Sequence, residues 1–155
     1  MNKNNWYYTV TGDISTIPDF IEHYENELIM ARSELSLKGR SLEKHAAELP
    51  GVVEKRYSEL QEIEAVLEWL NIKLRKDRSI EFKRFLEAYN KTLSSRDAEK
   101  YVDSVSSIVD LTILINEVAL LRNKYLGITK GMEAKNFMIG HISKLRIAGL
   151  DDASL

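Results

Sequence analysis

The sequence predicts an all-α protein: an elongated helical hairpin or coiled-coil bundle that is oligomeric and has a short extended segment at its N-terminus. Two observations predict the helices. The 155 residues include only 7 Gly and 2 Pro, and 30% are charged, a composition that suits long helices. A heptad repeat of apolar residues also runs through most of the C-terminal third of the chain. A chain of this length is expected to form a single domain, residues 1–155.

Residues 1–16 are predicted to form an extended arm or a strand. The stretch WYYTVTGD, residues 6–13, alternates aromatic with β-branched side chains and stops at Gly12 and Asp13, a pattern typical of a short strand. Because one strand is not stable by itself, we expect it to pair with another chain or to lie against the helices.

Residues 17–92 are predicted to form long helices. Pro18 and the acidic residue after it suit a first helical turn, so a helix is expected to begin there. Pro50 and Gly51 are expected to break the helix, because proline lacks a backbone donor and glycine lowers helicity. From Val52 an apolar stripe at helical spacing resumes and leads into a basic segment.

Residues 94–148 are predicted to form C-terminal helices that mediate assembly, and residues 149–155 a loose tail. With Leu111 as heptad position a, nine of the ten a and d positions are apolar or aromatic, and Lys135 is the exception. A stripe of this length predicts coiled-coil or bundle packing. The predicted oligomerisation residues are Leu111, Leu114, Val118, Leu121, Tyr125, Ile128, Met132, Ile139 and Ile142.

Charge is unevenly distributed, although the net charge is only −2. Residues 1–70 hold 7 Lys and Arg against 13 Asp and Glu, whereas residues 71–155 hold 15 against 11. A first basic cluster, close to Phe82 and Phe85, comprises Lys73, Arg75, Lys76, Arg78, Lys83 and Arg84. A second predicted cluster comprises Arg122, Lys124, Lys130, Lys135, Lys144 and Arg146.

These clusters have two interpretations. Lys and Arg neutralise phosphates, which supplies most non-specific affinity for nucleic acid, and nearby aromatic rings allow bases to stack. Alternatively, the cations form a solvated face or pair with the acidic N-terminal half of a neighbouring subunit. At helical spacing, the two phenylalanines are more often core residues than base-stacking rings.

The sequence contains no pattern that indicates an enzyme, a metal site or a cofactor. It has no cysteine, and its three histidines are far apart and form no zinc-binding motif. The carboxylates are numerous, but their spacing selects no pair for acid–base chemistry. The N-terminus lacks the apolar segment of a secretory signal, and no run of 18 apolar residues predicts a membrane span.

The order of these elements resembles that of a known family. A helix with a Lys-x-Arg basic element, a short link, a long heptad helix and a short tail is similar to the UvsY-type recombination mediators of T4-like bacteriophages. The similar segments are KLRKDRSIEF (73–82), DSVSSIVDLTILINEV (103–118) and KNFMIGHISKLRIAG (135–149). The first fifty residues have no counterpart in this resemblance.

The resemblance implies a function. It implies a protein that binds single-stranded DNA without sequence preference, forms ring-like homo-oligomers and acts in the cytoplasm of a bacterial host. Such a protein loads a RecA-like recombinase onto DNA coated by the single-strand binding protein, and it is not an enzyme. The family's DNA-binding Lys-x-Arg element would correspond to Lys73 and Arg75. The alternative function is a structural or scaffolding coiled-coil protein that does not bind nucleic acid.

Overall fold

A computed structural model describes residues 5–88 and 94–149. Within these ranges the chain forms α1 (Trp6–Gly12), a short 3₁₀ turn (Ile14–Thr16), α2 (Ile17–Glu34), α3 (Leu42–Ala88), α4 (Ser95–Asp103) and α5 (Ser106–Ile147). No strand occurs in the described residues, so the prediction of an all-α fold is confirmed. Apart from Gly149, the predicted tail lies outside the described residues.

The N-terminal segment is a helix, so the prediction of a strand or an extended arm is wrong. Asn5 caps α1 by accepting a hydrogen bond from the backbone N–H of Tyr7 at 2.9 Å. Trp6 packs edge-on against Phe20 of α2, and Val10 is fully buried. The helix pairs part of its backbone internally, and the side chains of Asn5 and Glu62 accept from the N–H of Tyr7. A lone strand would leave its backbone groups unpaired, which explains why the alternating pattern does not produce a strand.

The break between α2 and α3 falls earlier in the chain than predicted. α2 ends at Glu34, and the loop that follows contains Gly39 with φ +82°, a conformation that glycine adopts readily. α3 then continues through Pro50 without interruption, so the predicted break near Pro50 and Gly51 is wrong. Proline has no N–H that could donate to the carbonyl of Ala46, one helical turn earlier. Both residues are exposed, so this carbonyl faces water rather than the core.

The two longest helices, α3 and α5, lie antiparallel along each other. His45 near the start of α3 contacts Lys135 in the second half of α5, while Glu64 further along α3 lies 3.9 Å from Arg122. α2 lies beside this pair and runs parallel to α5. The hydroxyl of Tyr125 on α5 donates to the carbonyl of Tyr24 on α2 at 3.2 Å. The three helices therefore form a bundle.

The heptad stripe of α5 lies inside this bundle. Of the nine predicted oligomerisation residues, all except the half-buried Leu114 are buried within the single chain. They join one hydrophobic core with residues of α2 and α3 such as Phe20, Leu28 and Ile63. Self-assembly through this stripe stays a prediction, but the stripe has an intramolecular partner that accounts for its period.

One position of the α3 seam holds a charge instead of an apolar side chain. Arg56 is 0% exposed and donates to Glu27 at 2.8 Å, to both oxygens of Glu34 at 2.8 Å and to Glu59 at 2.9 Å. These bonds hold the end of α2 against α3. Arg56 and Lys55 lower the pKa of Glu27 to about 2, because both stabilise its charged form.

Among the described residues, no single helix is both long and apolar enough to cross a membrane. Only α4 and α5 taken together, across a bend of 64°, reach the required length and composition.

Candidate nucleic-acid interface

The first basic cluster lies on the last turns of α3, after the last buried residue of that helix. We call residues 71–88 the basic arm. The last buried residue of α3 is Leu70, and no side chain of the basic arm is buried. α4 covers one side of the arm through its buried Ala98 and Val102. All six predicted cations therefore lie together on a helical segment that contains no buried side chain.

Five of the six cations of the arm form ion pairs with carboxylates of the same chain. These pairs are Lys73–Asp77 (3.0 Å), Arg75–Glu68 (3.1 Å), Arg78–Asp103 (2.6 Å), Lys83–Glu87 (3.7 Å) and Arg84–Glu81 (3.4 Å). Lys76 is exposed and pairs with no described carboxylate. Ion pairs between exposed side chains are worth about 0–1 kcal/mol, so an incoming phosphate can replace the carboxylates at little cost.

Aromatic rings lie beside these cations. The rings of Phe85 and Tyr101 stack with their centroids 5.8 Å apart and their planes at 26°, and Tyr101 is 47% exposed. Phe82 is half-buried and lines a shallow groove of about 300 Å³ together with Arg75 and Arg78. The arrangement places aromatic side chains beside guanidinium groups.

No pattern in the sequence singled out Tyr101. It lies on α4, which the fold brings against the arm, and the available signal was a single aromatic residue within the polar stretch SRDAEKYVD. The same helix carries the exposed cations Arg96 and Lys100, which the sequence analysis also left out. Tyr89, an aromatic residue next to the arm in sequence, lies outside the described residues.

The structure does not gather the second predicted basic cluster on one surface. At 3.6 residues per turn, the six cations divide between two sides of α5. One side holds Arg122, Lys130 and Lys144, and the other holds Lys124, Lys135 and Arg146. Three of the six pair with carboxylates on α2 or α3: Arg122 with Glu64, Lys124 with Glu25 and Arg146 with Glu43.

Lys135 is buried, so it contributes no exposed charge to the predicted second cluster. Its Nζ donates to the carbonyl oxygens of Glu34 at 2.6 Å and Ser36 at 3.1 Å, and lies 3.2 Å from Nδ1 of His45. These three bonds use every donor of the ammonium group. Burial lowers the pKa of Lys135 from its ordinary value. Lys135 thus interacts with the C-terminal end of α2, the negative end of the helix dipole, and has no N–H left to donate to a phosphate.

The part of the chain that the structure describes holds no group of three or more histidines and carboxylates able to bind a metal ion. No protein-family model, no curated protein and no solved structure matches this chain. The resemblance to the UvsY-type mediators therefore rests on the sequence pattern.

Proposed function

We propose that this protein binds single-stranded DNA through the basic arm. The observation that carries the proposal is the position of the arm: six cations lie on an unburied helical segment beside the half-exposed ring of Tyr101. A chain with a net charge of −2 has no general attraction for polyanions, so this local grouping must supply the attraction.

Cations and aromatic rings contribute differently to the binding of DNA in this proposal. The cations neutralise successive phosphates, which gives affinity that is independent of sequence and falls with salt. A base stacked on the ring of Tyr101 adds affinity that only an unpaired strand can gain, because the bases of a duplex are already stacked. The proposal therefore includes a preference for single strands over duplex.

The role of recombination mediator is the more specific part of the proposal, and its support is the resemblance in sequence. In this role the protein forms a homo-oligomer, and in a ring the arms of several subunits act on one strand with increased avidity. It then helps a RecA-like recombinase to replace the single-strand binding protein in the cytoplasm of a bacterial host.

The first test is fluorescence anisotropy of a labelled oligo-dT, titrated with the protein at several salt concentrations, beside a duplex of equal length. We expect tighter binding to the single strand and a steep loss of affinity with salt. The double variant Arg75→Gln/Lys76→Gln should reduce the slope of log affinity against log salt by roughly 1.5, because single strands lose about 0.7 per phosphate contact. Equal affinity for both strands would contradict the proposal.

The matched control is Arg32→Gln/Lys44→Gln, which removes two exposed cations outside the arm. Its binding should remain close to that of the unaltered protein. Tyr101→Leu should lower the affinity for oligo-dT about tenfold, since stacking on one aromatic side chain is worth about 1–3 kcal/mol, and should leave the duplex affinity unchanged. Recombinase loading onto strands coated by single-strand binding protein then tests the mediator role.

A second candidate function is a structural or scaffolding protein that does not bind nucleic acid. The observation that favours it is the pairing of five arm cations with carboxylates of the same chain. Absence of oligo-dT binding at low salt would favour this second function. Sedimentation at low and high salt then shows whether charge pairs or apolar contacts hold an assembly together.

A further inference from the structure

A polar cavity of about 380 Å³ lies at the opposite end of α3 from the basic arm. It is enclosed by the end of α2, the loop of residues 35–41, the first turns of α3 and Lys135 of α5. We call it the loop cavity. Its volume falls within the range of about 300–1,000 Å³ that is usual for small-molecule sites.

His45 is 7% exposed and lines the loop cavity. Its contact with Lys135 decides which of its two ring nitrogens carries the proton. The ammonium group of Lys135 carries only donors, so Nδ1 of His45, 3.2 Å from Nζ, must accept. The proton of the neutral ring therefore lies on Nε2. This N–H is buried and has no acceptor among the described residues. Buried donors nearly always have a partner, so the ring indicates a ligand that accepts a hydrogen bond.

The charges around the loop cavity favour an anion as that ligand. Lys38, Arg40 and Lys135 contribute three positive charges to its lining, and no described carboxylate forms an ion pair with Lys38 or Lys135. The lining also contains two carboxylates. Both oxygens of Glu34 accept from Arg56, whereas Glu48 accepts from Arg40 at 2.6 Å. Glu48 is thus the one lining carboxylate that an incoming anion must compete with for Arg40.

We propose that the loop cavity binds the phosphate group of a small phosphate monoester. A phosphate oxygen accepts from Nε2 of His45 and pairs with Arg40 and Lys38, an arrangement of charge-assisted hydrogen bonds. The rest of the ligand lies against the apolar part of the lining, formed by Met30, Leu49 and Val52. Because Nε2 is covered, binding moves at least one side chain of the lining. This site is independent of the proposed binding of DNA by the arm.

Nitrogen-detected NMR of the ¹⁵N-labelled full chain tests the site directly. Inorganic phosphate is titrated at constant pH, with sodium chloride adjusted to keep the ionic strength constant. We expect the Nε2 resonance of His45 to move along a saturable curve. The chain has three histidines, and the exposed His23 and His141 serve as internal references that should not saturate. Equal behaviour of all three rings would overturn the proposal.

Two substitutions of opposite effect sharpen the test. Arg40→Gln should weaken phosphate binding about tenfold by removing a charge-assisted hydrogen bond. Glu48→Gln should tighten binding, because Arg40 then loses its carboxylate competitor. Arg32→Gln, which removes an exposed cation of the last turn of α2 that does not line the cavity, is the matched control and should change nothing. Equal losses in Arg40→Gln and Arg32→Gln would show only a general charge effect and overturn the site.

Three further ligands distinguish the sources of the phosphate. Thymidine 5′-monophosphate should bind more tightly than inorganic phosphate if the apolar wall holds the rest of a small ligand. An oligo-dT with a 5′-phosphate that binds more tightly than either would identify the end of a strand as the source. An oligo-dT without terminal phosphate that moves the His45 resonance equally well would overturn the preference for a monoester. Because the basic arm is itself proposed to bind oligo-dT, the two oligonucleotides are compared in the Arg75→Gln/Lys76→Gln variant and followed by the His45 resonance.

Discussion

The two parts of α3 on either side of Leu70 belong to one helix, yet they differ in what surrounds them. The first part lies between α2 and α5 and contains every buried residue of α3: Leu42, His45, Leu49, Arg56, Leu60, Ile63, Val66 and Leu70. The basic arm contacts α4, contains no buried residue and leaves apolar residues such as Ile72 and Ile80 more than half exposed. Neighbouring helices, rather than local composition, decide which apolar residues become core.

The same comparison separates two uses of charge. In the first part Arg56 is enclosed by three carboxylates and ties α2 to α3, whereas the cations of the arm form exposed pairs. A buried charge that loses its partners is costly, while an exposed pair contributes little. Charges of the first part therefore maintain the structure, and charges of the arm remain available for binding.

Arg56→Ala gives the largest expected effect. It leaves three carboxylates close together with only the half-exposed Lys55 as a counter-charge, and we expect the free energy of unfolding in urea to fall by about 3–5 kcal/mol. Arg75→Ala in the arm is the matched substitution, and it should change the free energy of unfolding by less than about 0.5 kcal/mol. Similar losses in both variants would contradict the distinction between the two parts of α3.

Acid titration checks the same cluster. The pKa of Glu27, about 2 in the folded chain, lies below its ordinary value of 4.5. The stabilisation it provides is therefore complete above about pH 4.5 and is lost as the pH falls towards 2. Glu27→Gln should reduce this loss of stability on acidification, measured by urea unfolding at each pH.

The second comparison uses two isoleucines of α3. Ile63 is 0% exposed in the bundle, whereas Ile80 is 54% exposed on the arm. Ile63→Ala should lower the free energy of unfolding by about 2–5 kcal/mol, because it removes buried methyl groups and leaves a cavity. Ile80→Ala should lower it by less than about 1 kcal/mol. If the Ile80 variant is as unstable as the Ile63 variant, the arm is packed against something else in solution, such as a second copy.

Lysines provide the third comparison. Lys135→Met removes three hydrogen bonds at the end of α2, and we expect a loss of about 1–3 kcal/mol in the free energy of unfolding. Lys76→Met in the arm should be nearly neutral for stability. In the anisotropy assay the order should reverse, with weaker oligo-dT binding by the Lys76 variant and unchanged binding by the folded Lys135 variant. Weaker binding by the Lys135 variant would show that its buried end also affects the DNA site.

Two glycines of α5 give the smallest expected effects. A Cβ at Gly127 meets nothing within 4 Å, so Gly127→Ala should raise the free energy of unfolding by about 0.5–1 kcal/mol through helix propensity. A Cβ at Gly131 would lie 2.9 Å from Cδ2 of Leu35, which must move. The gain for Gly131→Ala should therefore be smaller, as measured by thermal unfolding. Equal gains would mean that the packing of Leu35 on α5 is loose.

The sequence predicted the helices and the buried stripe of α5 because a heptad period states which face is apolar. It did not predict whether that face packs against its own chain or against a second one, because an apolar side chain is buried equally well by either. For the same reason the pattern at Trp6–Gly12 suggested a strand, since seven residues fit both a strand and a short helix packed by Trp6 and Val10.

The candidate site was predicted in part. The cations of the arm were identified because six Lys and Arg residues fall within residues 73–84 of a chain whose net charge is negative. Tyr101 was missed because its position beside Phe85 depends on how α4 folds back on α3. Lys135 was grouped with the second basic cluster by its charge, although it also occupies a position of the heptad stripe. The carbonyls of Glu34 and Ser36, which accept from it, explain why it is buried there.

The unbroken length of α3 has a mechanical consequence. Its 47 residues, at about 1.5 Å each, extend over roughly 70 Å, several times the distance of about 10 Å over which charges interact in 0.1 M salt. The loop cavity and the basic arm therefore do not sense each other's charge. Coupling between the two sites therefore requires a movement of α3 as a whole. A tilt of about 5° at one end of the helix displaces the other end by roughly 6 Å.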